Sequence, residues 1–135
     1  MDQPTHDPGP RAVPTPSGES LLELIAVMDR LRSPGGCPWD AEQTHLSLVS
    51  YLTEEAHEAV EAIETGDRAA MREELGDVLL QVMFHSRIAQ EDASDPWSID
   101  DVAAGIAAKL VARHPHVFGD ESVDSAAHVE SVWLA

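Results

Sequence analysis

Glu54, Glu55, Glu58, Glu61 and Glu64 fall within eleven consecutive residues that contain no lysine or arginine. On a helix, residues three and four apart are neighbours, so 54/58, 55/58, 58/61 and 61/64 are like-charged pairs. Each costs roughly 0.2–0.5 kcal/mol in an isolated helix. Glu74 and Asp77 form a second acid pair at i, i+3, and Gln81 and His85 extend the same face by further turns. If the two stretches pack antiparallel, Glu55 and Glu58 come opposite Glu74 and Asp77. Four converging carboxylates suit a hard divalent cation such as Mg²⁺, which takes oxygen ligands and keeps waters that a phosphate can replace. The competing reading is a solvated acidic face, the commonest meaning of a charge run. Against it, solvated helices usually interleave lysines, and Ala59, Val60, Ala62 and Ile63 leave the acids little room to avoid the packed side. Two other metal patterns are weaker. Glu54-x-x-His57 is half of a di-iron motif whose second Glu-x-x-His is missing, and His6-Asp7 lies in a proline-rich tail.

The elements that must hold these acids are helical. Residues 1–19 carry five prolines and two glycines with almost no large apolar side chain, which predicts a disordered tail. Residues 20–135 then form one domain. Ser20-x-x-Glu23 reads as a capping box opening a first helix that buries Leu21, Leu24, Ile25, Met28 and Leu31. A second helix is expected from Asp40–Gln43 through Ile63. Gly66 suits the left-handed C′ position, and Asp67 caps a third helix over about 68–91 that buries Met71, Leu75, Leu79, Val82 and Ile88. Ser98-x-x-Asp101 opens a fourth helix, ended by His114-Pro115. A short last helix covers about 125–133. No alternating strand pattern competes, so the class is all-α: an antiparallel helical bundle.

Composition narrows the chemistry further. The formal net charge is −17 over 135 residues, from 25 acidic and 8 basic side chains. Such a chain is a poor ligand for nucleic acid or anionic lipid. Cys37 is the single cysteine, so an internal disulfide and a cysteine-based zinc site are excluded. No run of 18 apolar residues and no basic-then-apolar leader is present, and the expected location is the cytoplasm. Cys37, Pro38 and Trp39 read as loop-shaping residues, and His114 and His116 as helix-stop and packing residues. Histidines 45, 57 and 85 carry no assignment from spacing.

Three blocks, "GCPWDAEQTHLSLVSYLTEEAHEAVEAI", "EELGDVLLQVMFHSRIAQE" and "KLVARHPHVFGD", occur in this order. Together they resemble the MazG nucleoside triphosphate pyrophosphohydrolases, over about residues 21–133. The resemblance implies an all-α NTP pyrophosphatase fold with four main helices completed by dimerisation, as a homodimer or dimer of dimers. It implies Mg²⁺-dependent hydrolysis of (d)NTPs at the α–β bond to a monophosphate and pyrophosphate, in nucleotide-pool house-cleaning, with Mn²⁺ as a substitute metal. The family's Glu-x-x-Glu…Glu-x-x-Asp signature falls on Glu55, Glu58, Glu74 and Asp77 as metal ligands, with Glu54 an accessory acid. Either Glu54 or Glu55 would orient or deprotonate the attacking water. Lys109, the only lysine, and Arg113 read from spacing as an ordinary surface pair; the resemblance makes them triphosphate contacts, and Trp133 a base or sugar contact. Relatives continue past this tryptophan with Trp-x-x-Ile-Lys, whereas this sequence ends at Leu134-Ala135. A second expectation, from another class, is a catalytically silent helical dimerisation module, a fragment of a longer protein.

Overall fold

A computed structural model describes the backbone of residues 11–134, with side chains through Ser131. Residues 1–10 and 135 lie outside the described residues, so most of the proposed tail does too; residues 11–18 carry no helix or strand. The elements are α1 (Glu19–Arg32), α2 (Pro38–Glu42), a 3₁₀ turn (Leu46–Leu48), α3 (Val49–Thr65), α4 (Arg68–Ala89), α5 (Ile99–Ala112), α6 (Pro115–Phe118) and α7 (Ala126–Leu134). No strand occurs among the described residues, and none of their helices is long and apolar enough to cross a membrane.

Four of the sequence-derived helix ends are formed as expected. Gly66 takes φ 75° after α3, and the Asp67 carboxylate accepts the Ala70 N–H at 3.1 Å to start α4. Ser98 and Asp101 make a reciprocal capping box for α5. His114 ends the α5 region, with Pro115 opening α6.

Two expectations need correction. The Ser20 capping box does not form, because the cap of α1 lies two residues earlier, at Gly18 with φ 85°, and Glu19 N–H donates to Ser17 Oγ. The expected long second helix is broken into α2, the 3₁₀ turn and α3. Side chains satisfy the backbone there instead of the helix ladder. Gln43 Nε2 donates to Trp39 O, Ser47 Oγ donates to Gln43 Oε1, and Thr44 and Ser47 exchange hydroxyl–amide bonds.

The centre of the molecule is α4, with α3 packed along one side and α1 and α5 on the other. Met28, Leu48, Met83 and Phe84 form the buried core, surrounded by Leu24, Ile25, Leu31, Leu79, Ile88 and Ile99. A helix covered on two sides does not follow a single-stripe rule. Leu75 and Val82, expected inside, are exposed, as is Leu21 on α1. On a 3.6-residue wheel Leu75 and Val82 sit about 80–100° round from Glu74, on the open flank between the two covered faces. Gln81, Ser86 and Ala89 are buried instead.

Arg32 ties three segments together. Its Nε and one terminal nitrogen grip Glu91 at 2.6 and 3.0 Å, and the other donates to the carbonyls of Asp40 and Gln43. Nothing in the sequence periodicity marks it.

Candidate metal centre

α3 and α4 are joined by only Gly66 and Asp67, so they must run antiparallel and side by side. That geometry brings Glu55 of α3 against Glu74 and Asp77 of α4. One carboxylate oxygen from each lies within 4.8 Å of the other two, and all three residues are half-buried. Among the described residues no lysine or arginine is ion-paired with them; the arginine bridges go to Glu91 and Asp29. Both glutamates are pushed above the usual carboxylate range. For Glu55 the causes are loss of hydration, then repulsion from Asp77, Glu58 and Glu54. For Glu74 they are loss of hydration, then Asp77, Glu58, Glu55 and Glu73. Three like charges held together without a basic partner could hold a cation.

The donor set fits Mg²⁺. Oxygens at about 2.1 Å from an octahedral ion lie about 3–4 Å apart, so oxygens already within 4.8 Å need only small side-chain movement. Glu58 is exposed and outside this tight group, yet near enough to raise both glutamates. With Glu61, Glu64, Thr65 and Glu74 it lines an open depression of about 490 Å³ beside the acids. Glu54 is exposed beside Glu55.

Lys109 and Arg113 are not brought to this cluster by the packing of their helix. Lys109 is exposed in the last turn of α5 and Arg113 is exposed at its C-cap. A pocket shared by Leu79, Met83, Ile99 and Ala103 marks where the start of α5 meets α4. On the wheel, Leu79 and Met83 lie about 140–180° round from Glu74, on the opposite face of α4. Trp133 falls in α7, but its side chain lies outside the described residues.

The face carrying the acids holds two polar residues whose role spacing did not reveal. Gln81 and His85 lie within about 20° of Glu74 on the wheel. Gln81 is 5% exposed, and neither its Oε1 nor His85 Nε2 has a hydrogen-bond partner among the described residues. His85 Nδ1 is 2.8 Å from His45 Nδ1, and the two rings are parallel within 3°. One Nδ1–H donates to the other ring. Burial first, then the neighbouring His45, pushes His85 below the usual histidine range. The only sequence signal was the i+4, i+8 continuation from Asp77; the pairing with His45 bridges 40 residues.

The model of the MazG nucleotide pyrophosphohydrolase domain matches residues 43–118, more than half of the chain, including Glu54, Glu55, Glu58, Glu74 and Asp77. The chain belongs to the MazG family. Among curated relatives of this MazG domain, an uncharacterized 26.1 kDa protein of Streptomyces cacaoi is 59% identical over 116 residues, 86% of this chain and 47% of that protein. The nucleoside triphosphate pyrophosphohydrolase/pyrophosphatase MazG of Thermotoga maritima is 54% identical over 104 residues, 77% of this chain and 40% of that protein. A nucleoside triphosphate pyrophosphohydrolase of Mycolicibacterium smegmatis is 50% identical over 113 residues, 83% of this chain and 34% of that protein. The MazG domain thus spans less than half the length of these relatives. A crystal structure of a mazG-related protein from Thermotoga maritima superposes with a TM-score of 0.64 at 29% identity, covering 86% of this chain and 95% of that one. The all-α fold agrees with that neighbour.

Proposed function

We propose that this MazG domain is a Mg²⁺-dependent nucleoside triphosphate pyrophosphohydrolase that cleaves (d)NTPs between the α and β phosphates. The observation that carries this reading is the Glu55–Glu74–Asp77 cluster, three carboxylates held within 4.8 Å without a basic partner. Glu55, Glu74 and Asp77, with Glu58 turning in from the rim, would hold the ion; Mn²⁺ meets the same oxygen requirement. Bound there, the cation supplies charge neutralisation and polarisation for the phosphoryl group under attack. The protein's own residues do the rest. Glu54, exposed at the edge of the cluster, orients the attacking water and takes its proton, with Glu55 the other candidate for that task. Lys109 and Arg113 hold the polyphosphate, Arg113 by its planar fork and Lys109 as a point charge. Trp133 is assigned to the base or sugar. The products are a nucleoside monophosphate and pyrophosphate, which fits house-cleaning of a cytoplasmic nucleotide pool.

The domain acts as a homodimer in this reading. Support comes from α5, none of whose residues is buried although Val102, Ile106, Leu110 and Val111 are all large and apolar.

Incubation with each of the eight common (d)NTPs and Mg²⁺ should release pyrophosphate and the matching monophosphate. No release from any of them sinks the proposal. Calorimetric titration with Mg²⁺ separates it from a silent helical module, which would show no saturable binding.

A further inference from the structure

The acid centre lies between two cross-links of α3 to α4. One is the Gly66–Asp67 joint, past the C-terminal end of α3. The other is at the opposite end, where His45, at the 3₁₀ turn leading into α3, meets His85 of α4. Eight residues separate Asp77 from His85, so this second cross-link sits about 12 Å along α4 from the acids. The two ring planes agree within 3°. With the Nδ1 atoms 2.8 Å apart, a centroid separation of 5.1 Å is reached only if the rings lie end to end in a common plane, the alignment a linear N–H···N bond needs. Such a bond holds one proton between two nitrogens. It survives with one ring cationic, since the charged ring still finds a bare nitrogen opposite. It fails when both rings are cationic, because both Nδ1 atoms then carry hydrogens and two like charges face each other. The surroundings do not offset that repulsion. The first turn of α3, Val49–Leu52, is uncharged, and on α4 the neutral Gln81 stands between His85 and Asp77. Glu91 and Asp92 share a pocket with His45, but Glu91 is gripped by Arg32 and Arg87, and Asp92 accepts from Ser94 and Asp95. Glu42, at the end of α2, is exposed, and Arg32 meets the turn only at the Gln43 carbonyl. Of the charged groups, His45 alone shifts His85.

We infer that His45 and His85 are positioning residues for the acid centre: their bond sets where α3 enters against α4, and with it the spacing of Glu55 from Glu74 and Asp77, and it releases when both rings are protonated. The turn that His45 belongs to runs directly into α3 at Val49, and Glu55 lies two turns further along the same helix. A helix moves as a rod, so a shift at its entry is carried to Glu55. Ligand oxygens serve an octahedral ion only within narrow limits of spacing, so a small displacement of α3 costs affinity. Burial holds His85 below the usual histidine value of 6.5, so the clamp stays closed at neutral pH and opens as pH falls through the lower folded value. The inference rests on the metal-dependent reading above and adds to it a proton-sensitive hold on the ligands.

Two substitutions at His45 test it through Mg²⁺ titration. His45→Ala removes the contact. His45→Asn puts an amide where Nδ1 stood, and because an amide both donates and accepts, the contact holds whatever charge His85 carries. At about pH 7.5, His45→Ala should bind Mg²⁺ about fivefold more weakly than the wild type, and His45→Asn should match the wild type. Between about pH 7.5 and about pH 5.5 every form loses affinity as the acids protonate, but the wild type should lose about fivefold more than His45→Asn. Equal affinity of His45→Ala and wild type at the higher pH, or parallel falls of wild type and His45→Asn, overturns the inference. If circular dichroism shows that His45→Ala does not fold, the comparison of wild type with His45→Asn decides alone. A metal-free readout is the coupling between the two ¹⁵N-labelled Nδ1 nuclei across the hydrogen bond. It should be present in the wild type at neutral pH and vanish in acid, and its absence at neutral pH overturns the inference by itself. A wild type that shows this coupling yet binds no Mg²⁺ overturns the metal reading instead.

Discussion

At the scale of single residues, Glu55 and Glu74 are held in a place that disfavours their own charge. Their carboxyls are raised in the folded chain by lost hydration and by neighbouring acids. A raised folded pKa contributes stability that is complete below the unfolded value of about 4.5 and is lost as pH climbs through the folded value. The metal-free protein should therefore melt at progressively lower temperature as pH rises from the unfolded carboxylate value towards neutrality, and Mg²⁺ should reverse that fall. Glu55→Gln and Glu74→Gln should each raise the metal-free melting temperature at pH 7 while abolishing the Mg²⁺-induced increase. A melt that rises without metal and keeps its Mg²⁺ response would remove that glutamate from the ligand set. Gln81 offers a separate check. A buried acceptor without a partner costs about 1–3 kcal/mol, so Gln81→Leu should be stabilising in chemical denaturation. The acid pairs were legible in the sequence because carboxylates at i, i+3 on two adjacent helices announce themselves by type and spacing. His45 and His85 were not, since their hydrogen bond depends on how a turn folds back onto a helix 40 residues later.

Among the elements, the α3–α4 pair and its two-residue joint carry the site, while Arg32 anchors the segments leading into it. Gly66 at φ 75° resists any side chain, and Gly66→Ala should cost about 1 kcal/mol. Asp67→Ala removes the α4 cap for a similar loss of about 1 kcal/mol, and either change should loosen Mg²⁺ binding by shifting α4 against α3. Arg32→Ala strips hydrogen bonds from Glu91, Asp40 and Gln43 together. Glu91 is 44% exposed and partly screened, so the expected loss is roughly 1–3 kcal/mol in denaturant titration. Hydrogen bonds from Arg32 foremost hold the Glu91 carboxyl below the usual range, against a smaller opposing effect of burial, with Arg87 assisting. That stability is present above the unfolded carboxylate pKa and is lost as pH falls through the lower folded one. Wild type and Arg32→Ala should therefore converge in strong acid. Helix ends written in Gly66, Asp67, Ser98 and Asp101 could be read directly from the sequence. The break between α2 and α3 could not, because Gln43, Thr44 and Ser47 hold it by bonds that leave no periodic mark.

Seen as a whole molecule, the domain is layered, with α4 between α3 and the α1–α5 side. The expectation of a single buried stripe on α4 misassigned Leu75 and Val82, because periodicity along one helix does not report that two neighbours will cover it from opposite directions. The same layering leaves Ile106 and Val60 on outer surfaces. Under the homodimer proposed above, Ile106→Glu should yield monomers in sedimentation or light scattering while leaving the helical circular dichroism unchanged. The short joint at Gly66–Asp67 also bears on how quickly the acid centre is assembled. Glu55 and Asp77 meet through a helical hairpin whose contacts are close in sequence, so closing it sacrifices little chain entropy compared with docking α1 or α5. If that hairpin is already formed at the folding barrier, the acids are together there as well. A cation that binds them would then accelerate refolding as well as retard unfolding. Stopped-flow refolding at rising Mg²⁺ should show a steeper gain in the folding rate than the loss in the unfolding rate, and a purely unfolding-side response would place assembly of the acid centre after the barrier.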